Sequence, residues 1–405
     1  MSALHLYNSR TRKKELFSAK DRHVGMYVCG ITPYSVTHLG HAFTHTFFDV
    51  LKRVLMHDEY SVTYVQNLTD IDDDILKKAK EEKRNWRELG ETNAQKFMED
   101  SRWLGNADPD IYPRATDHIR EIITFTRALL RRGRAYESNG NVYFEVRRDK
   151  QYGALSGLAK KKMLAVANAR GNHPDDPNKK DPLDFVLWQA RKNNEPSWHS
   201  PWGMGRPGWH IECSAMGEKY LGPVIDIHGG GGDLVFPHHE SEEAQSRSAR
   251  SRGKSSVRWW MHTGMLRYKR EKMSKSLGNL ILIADLKKRY SANAIRIYLL
   301  SHHYRSSYEF FESDMDKAEH TERLFTEVWR TESLSTGKSL QINKHRTAFY
   351  HALYDDMDTP RALHIMERMA RDIIRERKKK NVTDAKAFLN QAYGILGLTL
   401  GYKIP

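Results

Sequence analysis

The sequence predicts an α/β protein, with a parallel sheet and helical crossovers through most of its length, followed by an α-helical domain. Three observations carry this. The apolar run "HVGMYVCGI" (23–31) ends in a glycine turn, passes into an amphipathic stretch, and is followed by the β-branched run "YSVTYVQNLTD" (60–70). Strand-like runs recur as "GNVYFEV" (140–146), "PLDFVLW" and "VIDIHGGGGDLVF". After about Tyr308 the spacing of apolar residues is helical to the end.

The first run is short, apolar and closed by Gly30, as expected of a buried strand. "ITPYSVTHLGH" supplies the turn, and "AFTHTFFDVLKRVLMHD" spaces its apolar residues as a helix does. Strand, turn, helix and strand make a βαβ unit, and two parallel strands of one sheet need such a crossover. A ligand is then expected at the C-terminal ends of the strands. From about Asp74 to Arg134 the pattern is helical and charged. The basic, three-proline stretch 159–182 reads as an exposed loop or linker. The stretch "HALYDDMDTPRALHIMERMARDIIRERKKK" shows long amphipathic spacing in the tail. No internal repeat is visible.

At 405 residues, two or three domains are expected, and the composition is globular. No apolar run approaches a membrane span, and "MSALHLYNSRTRKKE" lacks the apolar core of a secretory signal. Two cysteines make no disulfide framework, which points to a reducing cytoplasm. Lys and Arg number 66 against 51 Asp and Glu, a net charge of +15 that favours a polyanionic partner, nucleic acid first. A basic surface can also serve solubility alone.

The two cysteines are Cys29 and Cys213, and "PHHESEEAQS" places His238 and Glu242 four residues apart. On a helix such a pair shares one face. Two thiols, an imidazole and a carboxylate suit zinc. A buried cysteine is more often a small core residue, and spacing across 200 residues is no local metal signature. "HLGH" (38–41) lies between strand and helix, where Gly40 lets a nucleotide approach and the helix N-terminus favours phosphate. Read alone, His38 and His41 are as well explained as caps. "KREKMSKSLGN" (269–279) carries Lys272 and Lys275 on a glycine-followed loop that could close two ammonium groups over a triphosphate, or be a solvated basic loop.

The pairing of "HLGH" early with "KMSKS" late resembles the class I aminoacyl-tRNA synthetases. Together with "YVCGITPY", "YVQNLTDIDD", "DPLDFVLW", "GWHIECSAM", "DIHGGGGDLVFPHHESEEAQS", "WMHTGM" and "DDMDTPRAL", the chain is similar over nearly its whole length to the cysteine–tRNA ligase family. The resemblance implies a Rossmann-like catalytic domain over 1–307, with an inserted acceptor-end region at about 105–200, and an α-helical tRNA-binding domain over 308–405. It implies one Zn²⁺ on Cys29, Cys213, His238 and Glu242. ATP, with Mg²⁺, would be held by His38, Gly40, His41, Gly230, Gly231, Asp233, Lys272 and Lys275. Of these, His38, His41, Lys272 and Lys275 would be catalytic. Trp209 and His228 would line the cysteine pocket, while Thr69 and Asp233 would hold the α-ammonium. L-cysteine and tRNA(Cys) are the implied partners, a monomer the implied state.

Two features strain the resemblance. Family members commonly extend past the "DDMDTPRAL" bundle into a small anticodon-reading domain, and this sequence stops at Pro405. "CGITPYSVTHLGHA" and "ARGNHPDDPNKKDPLD" also lean toward the cysteine ligase of mycothiol synthesis, which joins activated cysteine to glucosaminyl-inositol without RNA. The basic runs 246–258 and "RERKKK" favour tRNA, unless they are solvated faces. A non-catalytic RNA-binding paralogue is disfavoured by the intact phosphate motifs. A zinc hydrolase is disfavoured by the four-ligand set, since a catalytic zinc usually keeps three ligands and a water.

Overall fold

The computed structural model describes residues 3–34, 36–249, 255–273, 278–334 and 336–399. Its centre is a parallel sheet. Strand β1 (His23–Ile31) leads into helix α1 (Leu39–His57), which returns to β2 (Ser61–Leu68). The chain then enters α2 (Asp73–Glu81) and helices Trp86–Trp103 and Ile119–Arg131. Between those last two helices, Ile111 and Arg114 bridge to Val65 and Leu68 and so cover the free edge of β2.

An antiparallel four-stranded sheet follows, built from Ala135–Ser138, Asn141–Phe144, Phe185–Ala190 and Gly205–Pro207. It has its own apolar core around Phe144, Leu187 and Trp188. Segment 159–182, read above as an exposed loop, departs from that expectation. Helix α3 spans Lys160–Asn168 and buries Met163 and Ala167. All three prolines lie beyond it, so an alanine-rich stretch with good helix formers was free to coil.

Helix α4 (Trp209–Leu221), strand β3 (Ile225–Gly231), helix α5 (Glu240–Ser248) and strand β4 (Val257–Thr263) complete the central sheet, whose order is β4-β3-β1-β2. All its pairs are parallel, with His228 opposite Tyr27 on one side and Trp260 on the other. This confirms the βαβ reading and brings Cys29, Thr69, Gly231 and Thr263 to one end of the sheet. Helix α6 (Ala292–Leu300) packs against α1. The tail begins with a two-residue strand, Tyr308–Glu309, paired to Leu266–Tyr268, before helices Glu312–Arg330, Asn343–Tyr354, Thr359–Glu376 and Thr383–Ile395. These helices share one continuous core with α1 and α6. Among the described residues, no helix is long and apolar enough to cross a membrane.

Candidate active site

Cys29 stands near the end of β1 and Cys213 on α4, and their sulfurs lie 3.7 Å apart. Both are free thiols. That separation is far beyond a disulfide bond of about 2.05 Å. It matches the edge of a tetrahedron, since two sulfurs each about 2.3 Å from one metal lie about 3.8 Å apart. The Cys29 Sγ is also 3.7 Å from Glu242 Oε1, and His238 Nε2 is 3.1 Å from the same oxygen. The expected pairing of residues 238 and 242 therefore forms.

His239 was not expected to take part. Its Nε2 lies 3.2 Å from Cys29 Sγ, and the donor atoms of Cys29, His238, His239 and Glu242 all fall within 4.8 Å of one another. Cys213 stands outside that tightest set, though beside Cys29. The reason is local: Phe236 (φ −142°, ψ 134°) breaks the helical path just ahead of the two histidines, so both rings turn to the same cluster. The "HH" doublet was the available signal.

The side chains of the cluster are buried. Burial pushes the Cys29 thiol and the Glu242 carboxyl well up, Cys213 adding to both shifts. Burial likewise pushes His238 and His239 well down, and His228 down to about 3. Without a cation these groups are held neutral; a divalent ion would favour the ionised thiol and carboxylate and take the imidazoles as they are, since histidine binds metal in its neutral form. Glu242 Oε2 is buried with no hydrogen-bond partner. Soft sulfur, imidazole and a carboxylate short of a partner fit a transition-metal ion of zinc's kind.

Trp209 stacks on His238, ring centroids 4.3 Å apart, which makes it a wall of the cluster. His228 lies with Nε2 3.6 Å from Cys29 Sγ and its ring against Trp260. Thr69 is held by Asn67 Nδ2, which donates to its hydroxyl at 3.2 Å, while Asn67 Oδ1 accepts from Gly30 N.

The "HLGH" turn lies on the same cleft as this cluster. His38 is the N-cap of α1, its Nδ1 accepting from the Gly40 and His41 amides, and its ring stacks on that of His41 at 3.7 Å. The cap reading and the phosphate reading are thus compatible. With Nδ1 an acceptor, a neutral His38 carries its proton on Nε2. Leu39 N donates to Ile281 O at 2.8 Å and Ile283 N to Thr37 O at 3.2 Å, which fastens the segment after "KMSKS" to the "HLGH" turn. Lys272 belongs to the short strand Glu271–Lys272, and Lys275 lies outside the described residues.

Cys29, His38, Gly40, His41, Thr69, Trp209, Cys213, Gly231, Asp233 and His238 all border one open cleft of about 1650 Å³. Gly230 does not border it. A Cβ there would come within 2.9 Å of His239, so this glycine makes room for the cluster.

Residues 16–320 match the family model of the tRNA synthetases class I (C) catalytic domain, and residues 348–401 match the DALR domain. A cysteine–tRNA ligase of Haemophilus influenzae (strain Rd) is 44% identical over 401 residues, covering 98% of this chain and 85% of that protein. One of Thermococcus onnurineus is 44% identical over 378 residues, covering 89% and 78%. The chain belongs to the cysteine–tRNA ligase family, enzymes of the class I synthetase type. In fold it is similar to Mycobacterium tuberculosis methionyl-tRNA synthetase in complex with methionyl-adenylate, with TM-score 0.66 and 15% identity over 92% of this chain and 88% of that one.

Proposed function

We propose that this enzyme activates L-cysteine with ATP and transfers it to the 3′ end of tRNA(Cys). In this reading Cys29, Cys213, His238 and Glu242 hold the Zn²⁺ that selects the thiol. The observation that carries it is the meeting, on one cleft, of a buried soft-donor cluster with the "HLGH" turn and the segment after "KMSKS".

Cysteine and serine differ by one atom, and pocket shape alone separates such pairs by only ~10–200-fold. Zn²⁺, when bound, supplies a Lewis acid that favours a thiol, readily ionised near pH 8.5, over a hydroxyl that is far harder to ionise. Trp209 and His228 exclude water around the side chain, and Thr69 and Asp233 receive the α-ammonium. The substrate carboxylate then attacks the α-phosphorus of ATP, and the bond to pyrophosphate breaks in line. His38, through its Nε2 proton, and His41, Lys272 and Lys275 stabilise charge on the phosphate oxygens, with Mg²⁺ accompanying the nucleotide. The terminal ribose hydroxyl of the acceptor next attacks the activated carbonyl and AMP leaves. Neither cysteine of the enzyme acts as a nucleophile.

The test offers radiolabelled cysteine and ATP with either bulk tRNA or glucosaminyl-inositol. Acid-precipitable label on RNA, absent when labelled serine replaces cysteine, is the expected result. A soluble thiol-amide product, or equal loading of serine, overturns the reading.

A further inference from the structure

Asp233 follows the glycine run at the end of β3, and its carboxylate folds back over the backbone. A Cβ on Gly231 would lie only 2.8 Å from Asp233 Oδ1, and Leu234 N closes the turn onto Gly231 O at 2.9 Å. The other oxygen, Oδ2, meets the guanidinium of Arg170 at 3.4 Å. Arg170 comes from a different part of the molecule. It stands just past the C-cap of α3, in the inserted region, and α3 packs on the 235–239 segment that carries His238. Both residues border the cleft.

The setting is acidic. The Tyr34 hydroxyl, pushed up to about 12 chiefly by burial, feels Asp74, Asp72 and Asp233 in one direction and Arg170 in the other. The two side chains of the pair are 27% and 34% exposed, and the contact is long and single rather than bidentate. A pair of that kind contributes little to stability, on the order of 0–1 kcal/mol. Its effect is on orientation, since a carboxylate has about four lone-pair directions and can accept from Arg170 through one oxygen and from an ammonium through the other.

We propose that Arg170 is a positioning residue for amino-acid binding: the insertion delivers a guanidinium that aims the Asp233 carboxylate at the α-ammonium of the substrate. This rests on the reading above, in which Asp233 receives that ammonium. It also gives α3 a role, as the wall through which the insertion reaches the amino-acid end of the cleft.

Full-length wild type, Arg170→Ala, Arg170→Lys, Asp233→Asn and the double variant Arg170→Ala/Asp233→Asn are compared in cysteine-dependent ATP–pyrophosphate exchange. Removing an orienting bond to a charged group raises KM for cysteine about tenfold in Arg170→Ala, with kcat and the KM for ATP within about twofold of wild type. Arg170→Lys and added guanidinium ion each restore part of the loss. The double variant is no worse than Asp233→Asn alone, because the arginine acts only through that carboxylate. An unchanged or lowered cysteine KM in Arg170→Ala, or additive losses in the double variant, overturns the proposal. So does a fall in kcat that tracks a fall in melting temperature. Wild-type enzyme that fails to exchange with cysteine at all would instead overturn the functional reading.

Discussion

Cys213 and His239 stand on either side of Cys29, and a four-coordinate ion has room for only one of them. His239 is the nearer to Cys29, but its Nδ1 already meets His262 Nε2 at 2.7 Å, and His262 in turn meets Ser9 Oγ at 2.8 Å. Such a chain orients a ring whether it binds a metal or flanks it, so the choice rests on the sulfur of Cys213, which lies at the spacing of a shared metal from Cys29. Cys213→Ala is therefore expected to reduce zinc from near one per chain to near zero after dialysis. His239→Ala keeps the metal with affinity lowered about 10–100-fold, as for an outer-shell partner. Elemental analysis and chelator competition measure both, and the opposite ranking would exchange the two roles. The convergence of Cys29 with His238 and Glu242 was foreseeable because a resemblance named them, with Cys213, as the proposed ligands and the 238/242 spacing supported a pair. His239 was not, since helical spacing sends adjacent residues to different faces and only the bend at Phe236 brings both rings in.

Helix α2 begins at the rim of the cleft, with Asp72 as its N-cap, one carboxylate oxygen accepting from Ile75 N at 2.8 Å. Burial pushes this carboxyl up to about 7, against the capping bond and with Asp74 and Asp73 adding to the rise. The folded state thus holds the proton more tightly than the unfolded chain, whose value is about 3.9. The stability this contributes is fully present below about pH 4 and is lost as pH rises through about 7. Asparagine caps as well and never ionises. Asp72→Asn is expected to match wild type near pH 4 and to exceed it by about 1–2 kcal/mol at pH 8, the full shift being discounted because the cleft admits water. Thermal melts across that range check it, and a pH-independent difference would contradict the cause given. At this scale β1, α1, β2 and β3 were legible from apolar runs and periodicity, whereas strand β4 and helix α4 were not singled out. Helix α3 was not: prolines and lysines dominate the window 159–182, and the burial of Met163 and Ala167 that holds the helix comes from tertiary packing.

Across the whole molecule, the motifs were readable one by one but their meeting was not. Strand order sets β3 beside β1, so His228 falls opposite Tyr27 although about two hundred residues separate them, and nothing local announces that register. The basic tail run was likewise ambiguous. Arg375 pairs with Asp372 and Glu376, Arg377 with Glu327 and Lys380 with Glu376, so much of that charge is balanced by acids on its own helices. Besides the shared apolar core and the contacts of Asp356 with Tyr304 and Arg305, a buried cation, Arg296, joins the helical tail to the catalytic part. It is fully buried on α6, donates to Leu396 O at 2.6 Å, Leu104 O at 3.1 Å and Asn106 Oδ1 at 2.7 Å, and forms an ion pair with Asp49 of α1. Burial would raise the Asp49 carboxyl, but Arg296 and Arg53 more than offset it and hold it below the usual range. Three separate segments thus converge on one cation, and the tail is expected to unfold with the catalytic core in a single transition. Arg296→Met leaves Asp49 buried without its main partner and should cost about 3–5 kcal/mol. Adding Asp49→Asn removes the stranded charge and should recover part of that loss. Urea unfolding followed by tryptophan fluorescence and circular dichroism tests both points. Two resolved transitions in wild type, or a double variant no more stable than Arg296→Met, would mean that Arg296 does not couple the tail to the core, which then rests on the apolar contacts and those of Asp356.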